Sequence, residues 1–273
     1  MGLQTTPSSQ NNKKLITIGL AAIGILFLVY SRFENPGLTP DAISSIERLS
    51  IAFYIVIIIS FVIIGIGLRG YQKIKALESS QNPLTIICNS TINLKAKKVF
   101  IITFIIYGIF FSMTSGILVY QPEVIFSYHY NATIPSAHIT PCCGAPGYMP
   151  KFVAYMTEHI GIQIIPLNLV LQVTVSYLVA TNTALAVNAI SFAKKTGGLG
   201  GIGATTGLFI ACPTCVGSFL SLFVGSASAV AFTIAISELQ TLFIAVTIPI
   251  LLFTPFILAR RINNTTNDKC EIN

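Results

Sequence analysis

Six apolar stretches, at residues 15–31, 49–68, 99–120, 164–189, 205–234 and 239–259, decide most of what this chain can become. A helix rises about 1.5 Å per residue, so roughly 20 apolar residues cross a hydrocarbon core about 30 Å thick. Only 9% of the residues are charged and 53% are apolar, whereas soluble domains carry about 25% charged residues. Water is therefore not the main solvent of this chain. The expected fold is an all-α integral membrane protein with six transmembrane helices. The first stretch is the shortest and follows Lys13 and Lys14, as the apolar part of a secretory signal does. It ends in Val29-Tyr30-Ser31-Arg32-Phe33, which lacks a small-x-small cleavage pattern, so it reads as a retained span.

The formal net charge is +7, and the placement of the basic residues accounts for it. Lys13 and Lys14 precede the first stretch; Arg69, Lys73, Lys75, Lys95, Lys97 and Lys98 separate the second from the third; Lys194 and Lys195 separate the fourth from the fifth. Arg260, Arg261 and Lys269 follow the sixth, while the alternate connections hold only Arg32, Arg48 and Lys151. Both termini cytoplasmic is the arrangement that puts every basic cluster inside. The charge orients the chain in a cell (plasma) membrane, with the lipid bilayer as its partner, and implies no nucleic acid.

The expected organisation is a disordered cytoplasmic tail at 1–14, a membrane domain at 15–260 and a second cytoplasmic tail at 261–273. Within the membrane domain lie a cytoplasmic loop at 69–98, with room for a short helix, and an external loop at 121–163. Residues 148–162 place Phe152, Tyr155, Met156 and Ile160 at helical spacing, which predicts a short interfacial helix. The two halves show no repeat. Spans one to three are plain Ile, Leu and Phe helices, whereas Asn, Gln, Gly, Pro and Cys concentrate in the second half, where function is expected.

Cys212-Pro213-Thr214-Cys215 lies inside the fifth stretch. Proline lacks an N–H and clashes with the carbonyl four residues earlier, so the fifth helix is expected to kink at Pro213. A helical segment restarting at Pro213 puts Cys212 at its cap and Cys215 in its first turn, where thiolates are favoured. Two sulfurs on one turn form a disulfide or bind one soft metal ion; they also serve as small packing residues. The same stretch carries small residues four apart, Gly203, Gly207, Ala211 and Cys215, then Gly217, Ser221, Gly225 and Ala229. That row suits close packing against a neighbouring helix or membrane subunit. The glycine run at 197–203 has no following Gly-Lys-Ser/Thr, so it reads as a hinge rather than a phosphate loop.

The external loop holds all three histidines, His129, His138 and His159, together with Cys142-Cys143, Met149 and Met156. Adjacent Cα atoms sit about 3.8 Å apart and unstrained disulfides prefer about 4.4–6.8 Å, so Cys142 and Cys143 do not bond easily to each other. Cys88 and Cys270 fall on the cytoplasmic side, where thiols stay reduced. Three options remain open: a strained vicinal disulfide, metal coordination with His138 and His129 or Met149, or exchange with Cys212 and Cys215. Imidazole with thiolate suits copper or zinc better than magnesium or calcium.

Span four carries Gln163, Asn168, Gln172, Asn182 and Asn188. Amides in a bilayer face the bundle and bond another helix, or line a pathway. Ionisable residues are missing from the middle of every stretch, against a carboxylate proton relay.

Two families carry comparable thiols. The CxxC with a loop pair resembles vitamin K epoxide reductases, which pass electrons between thiols and a quinone, although here the loop pair is adjacent and lies on the opposite side from Cys212. The vicinal pair is similar to that of mercuric-ion transporters, which carry theirs within a helix. Each likeness covers a few residues, and no roles are transferred from either.

The expected function is a polytopic membrane protein that binds or translocates a soft metal ion, with copper favoured. His138, Cys142 and Cys143, with His129, form the outer site; Cys212 and Cys215 form the inner one and become the catalytic pair if the chemistry is redox. The alternatives are a quinone-coupled thiol-disulfide oxidoreductase and a non-catalytic helical subunit of a larger membrane complex.

Overall fold

A computed structural model describes residues 7–32, 40–78, 82–141, 147–195 and 248–260. These are mostly helical: α1 (Pro7–Ser31), α2 (Pro40–Ala76), α3 (Pro83–Ile92), α4 (Leu94–Thr114), the single turn α5 (Phe126–His129) and α6 (Pro166–Lys195), with a further helix at Ile248–Arg260. Proline opens α1, α2, α3 and α6, at the position where its missing N–H has no partner to lose and its fixed φ already suits a helix. Four helical stretches among the described residues are long and apolar enough to cross a membrane: Ser9–Ser31, Ser45–Ala76, Leu94–Met113 and Pro166–Val187. They correspond to expected spans one to four. The expected fifth span, its kink at Pro213 and both of its cysteines lie outside the described residues, as do Cys142 and Cys143.

The chain divides into two compact units, Met1–Ile74 with Ile109–Val173, and Lys75–Gly108 with Thr174–Asn273. In the first unit, α1 and α2 pack around Ile23, Tyr30, Phe53 and Ile57. Phe53 sits at the centre, edge-on to Phe27, Tyr30 and Tyr54. The two helices approach closely because α2 offers glycine at the seam. A Cβ on Gly67 would lie 3.0 Å from the Asn12 carbonyl oxygen, and one on Gly70 would lie 2.6 Å from the Asn12 side chain. In the second unit, α6 packs through Val175 and Leu178 on Leu251, and Tyr177 stands edge-on to Phe100 of α4.

The expectation of an all-α fold is corrected by a four-stranded antiparallel sheet, order β1-β4-β3-β2. Its strands are β1 (Leu118–Tyr120), β2 (Ser136–Thr140), β3 (Lys151–Tyr155) and β4 (Ile160–Ile164). Three sequence expectations change with it. Span three was expected to run through residue 120, but α4 ends at Thr114; Gly116 takes φ +72°, a left-handed conformation that ends helices, and the chain re-enters as β1. Span four was expected to start at residue 164, yet Ile164 closes β4 and α6 starts at Pro166.

The third change concerns the interfacial helix expected over 148–162, which is instead the β3–β4 hairpin. Phe152, Tyr155, Met156 and Ile160 fit a helical period, but Phe, Val, Tyr and Ile are also strand formers. Cross-strand pairing to β1 and β2 decides between the two periods. The hairpin turn is closed by Met156 N–H and Thr157 N–H donating to the Ile160 carbonyl, and by the Thr157 hydroxyl accepting from the Ile160 N–H. Finally, α1 starts at Pro7, ahead of the start expected at residue 15.

Candidate functional site

The segment that carries Cys142 and Cys143 is held at both ends by tyrosines of the membrane helices. At one end, the Tyr30 hydroxyl of α1 donates to the Pro141 carbonyl and pairs with the Ser50 hydroxyl of α2 at 2.8 Å. Ser50 in turn donates to the Ile46 carbonyl at 2.7 Å. At the other end, the Tyr54 hydroxyl lies 2.6 Å from the Pro150 carbonyl and 2.9 Å from the Ile164 carbonyl. Tyr30 and Ser50 are buried, and buried hydroxyls are retained where they find such partners. The residue after the undescribed stretch, Gly147, has φ +86°, and its carbonyl accepts from the Leu167 N–H at the start of α6. Met149, expected as a possible ligand, packs on the α1–α2 core.

His138 lies on β2 opposite Val153 of β3 and is exposed. Its ring stands 6.0 Å from that of Tyr155; Tyr155 stacks 6.1 Å from Tyr130, and Tyr130 meets His129 edge-on at 4.7 Å. The two imidazoles named as ligands thus flank a pair of tyrosine rings, with Phe126 packed against both. Among the described residues, no three of His, Cys, Asp and Glu come together as a metal-binding group.

The third histidine has a structural role that its sequence position did not suggest. His159 Nδ1 faces the carbonyls of Gln121 and Val124 at 3.2 and 3.0 Å. Carbonyls only accept, so Nδ1 carries the proton. Beside it, the Glu158 carboxylate accepts from both the N–H and the hydroxyl of Ser127, at the N-terminus of α5 where an anion is favoured. Together these tie the hairpin turn to the chain between β1 and α5.

Among the described residues, Asn168, Gln172 and Asn182 of α6 each donate to a group outside their own helix. Asn168 Nδ2 donates to the Ser115 carbonyl at 3.2 Å, and Gln172 Nε2 to the Ser112 hydroxyl at 2.5 Å. In the second unit, Asn182 Nδ2 donates to the Leu178 and Leu251 carbonyls. Cys88, expected as a reduced cytoplasmic thiol, is a buried residue of α3; burial pushes its thiol up to about 11, against a smaller lowering by Lys75. A thiol held protonated is a poor nucleophile and a poor ligand.

The described elements define a mostly helical protein with four helices suited to crossing a membrane. No protein-family model, curated protein or solved structure matches the chain.

Proposed function

We propose that this is a multi-pass plasma-membrane protein that binds or translocates a soft metal ion, copper by preference and zinc next. His138, Cys142 and Cys143, with His129, form its outer acceptor site; Cys212 and Cys215 form an inner one. The observation that carries the reading is the tethering of the thiol segment. His138 is exposed on the strand leading into Cys142-Cys143, and the carbonyls of Pro141 and Pro150 on either side are bonded to Tyr30 and Tyr54. Two thiolates on a short tethered segment, with an imidazole on the strand leading into it, are a donor set that suits a soft or borderline cation.

The proposed topology has six spans, both termini cytoplasmic and the fifth helix kinked at Pro213. Basic residues support it. Lys13 and Lys14 lie toward the N-terminal end of α1, Arg69 and Lys73 toward the C-terminal end of α2, Lys95, Lys97 and Lys98 in the first turns of α4, and Lys194 and Lys195 in the last turn of α6. The sheet attaches to the opposite ends of α4 and α6, as the positive-inside rule requires of an external element. The small-residue row of the fifth span offers a packing face to a neighbouring membrane subunit.

Metal analysis of the purified, reduced full chain after incubation with Cu(I) or Zn(II) tests the reading. Bound metal that falls in Cys142→Ser and in Cys212→Ser is the expected result. No bound metal in the unsubstituted protein rejects it, and redox-dependent pairing of the thiols in its place selects the quinone-coupled oxidoreductase.

A further inference from the structure

The sheet has one apolar and one mixed face, and the register assigns every residue to one of them. Residues directly opposite in paired strands project to the same side. Leu118 pairs with Ile162 and Tyr120 with Ile160; Ile162 pairs with Ala154 and Ile164 with Phe152; Ala154 pairs with Ala137 and Phe152 with Ile139. All of these side chains are apolar or aromatic, and not one of them is fully buried. The other face carries Ser136, His138, Lys151 and Gln163. It is partly covered by α5, whose Phe126 lies 3.4 Å from where a Cβ on Gly161 would stand.

Tyr54 of α2 touches one end of the apolar face. Its ring meets Phe152 edge-on at 6.5 Å, beside the contact of its hydroxyl with the Ile164 carbonyl. At that level of α2 the outward residues Ile51, Ile55 and Val56 are exposed hydrophobics. The apolar face thus continues a surface that a bilayer already covers on a spanning helix. The connections are short: the chain passes from Thr114 of α4 to Leu118 of β1, and from Ile164 of β4 to Pro166 of α6. Tyr120, 65% exposed at the rim, joins an apolar ring to a polar tip, the chemistry favoured where headgroups meet acyl chains.

From these observations we infer that the apolar face of the sheet lies on the bilayer, with Tyr120, Ile139, Ile160 and Ile162 against the headgroup and upper acyl region. The sheet is a membrane-seated plate rather than a domain standing in water. Among the described residues the outer edges of β1 and β2 are unpaired, which keeps the sheet in the interface, because unpaired backbone groups are not tolerated in the hydrocarbon. The inference rests on the membrane assignment and not on metal binding.

The chain contains no tryptophan, so single tryptophans report without background. The full chain carrying Tyr120→Trp, Ala137→Trp, Ser136→Trp or Ile58→Trp is reconstituted in phosphatidylcholine vesicles with or without bromines high on the acyl chains. Tyr120→Trp and Ala137→Trp, on the apolar face, are expected to lose about half of their emission to the brominated lipid, as side chains sunk roughly 5–10 Å below the headgroups do. Ser136→Trp, one residue away on the other face, is expected to be quenched by aqueous iodide instead. Iodide quenching of equal size at Ala137→Trp and Ser136→Trp overturns the inference. Shielding of Ala137→Trp from both quenchers also overturns it, in favour of cover by protein. Ile58→Trp, in the middle of α2, separates the two levels: bromine quenching there without quenching at Tyr120→Trp rejects the seated sheet alone, and no quenching at any site rejects the membrane assignment with it.

Discussion

The hydroxyl of Tyr30, on α1, donates to the carbonyl of Pro141, 111 residues further along the chain. With Tyr54 contacting the Pro150 and Ile164 carbonyls, it joins the segment between α4 and α6 to α1 and α2 through hydrogen bonds rather than through apolar contact alone. Tyr30→Phe and Tyr54→Phe keep the rings and remove only the hydroxyls. The single Tyr54 proton is shared between two carbonyls, and Tyr30→Phe removes the contact with Ser50 as well as the bond to Pro141. An orphaned buried acceptor costs about 1–3 kcal/mol. Both variants are expected to melt lower than the parent in detergent, and the pair is expected to raise the proteolytic sensitivity of residues 141–150.

Glycines of α2 separate seam from surface. At Gly67 an added methyl meets the Asn12 carbonyl oxygen and the Leu15 Cβ at 3.0 Å, whereas at Gly65 nothing lies within 4 Å. A Gly→Ala change inside a helix gains up to about 1 kcal/mol, and overpacking costs about 1–3 kcal/mol. Gly65→Ala is therefore expected to leave stability unchanged or raised. Gly67→Ala is expected to lower it, because the atom in the way belongs to the α1 backbone. Unfolding in denaturing detergent compares the two.

The Gln172 to Ser112 bond joins α6 to α4 within the first unit. Interhelical hydrogen bonds in membranes average about 0.6 kcal/mol and reach about 1.7. A double-mutant cycle with Gln172→Leu and Ser112→Ala is expected to give a coupling energy in that range. A value near zero means that the two side chains find other partners when separated.

Cys88 is expected to be the slowest of the cysteines to react with maleimide at pH 8, since a thiol pushed up to about 11 holds little thiolate there. The same shift makes stability depend on pH. Folding favours the protonated thiol, so its contribution is fully present below the ordinary value of 9.0 and is lost as pH rises through about 11. Cys88→Ala is expected to flatten the fall in stability over that window, measured by unfolding at stepped pH.

The spans were legible because hydrophobic length is a local property. The apolar stretches beginning at residues 15, 49, 99 and 164 each contain the material of a helix, and prolines at 7, 40, 83 and 166 mark where four helices start. The amides of span four were likewise readable as interhelical partners, because a bilayer offers Asn168 and Gln172 no water. In the candidate site, the sequence named His129 and His138 by residue type alone. It did not separate them from His159, whose ring is occupied by two backbone carbonyls.

What only the tertiary structure decided is the conformation of the segment between α4 and α6. Phe152, Tyr155, Met156 and Ile160 satisfy a helical period and a strand's residue preferences together, and pairing with β1 and β2, distant in sequence, breaks the tie. The tyrosine bonds to Pro141 and Pro150 were equally invisible, since nothing local to Tyr30 or Tyr54 indicates which carbonyls they reach. Helices in a bilayer satisfy their own backbone and so can be read one stretch at a time. Sheets and side-chain bonds take their partners from elsewhere in the chain.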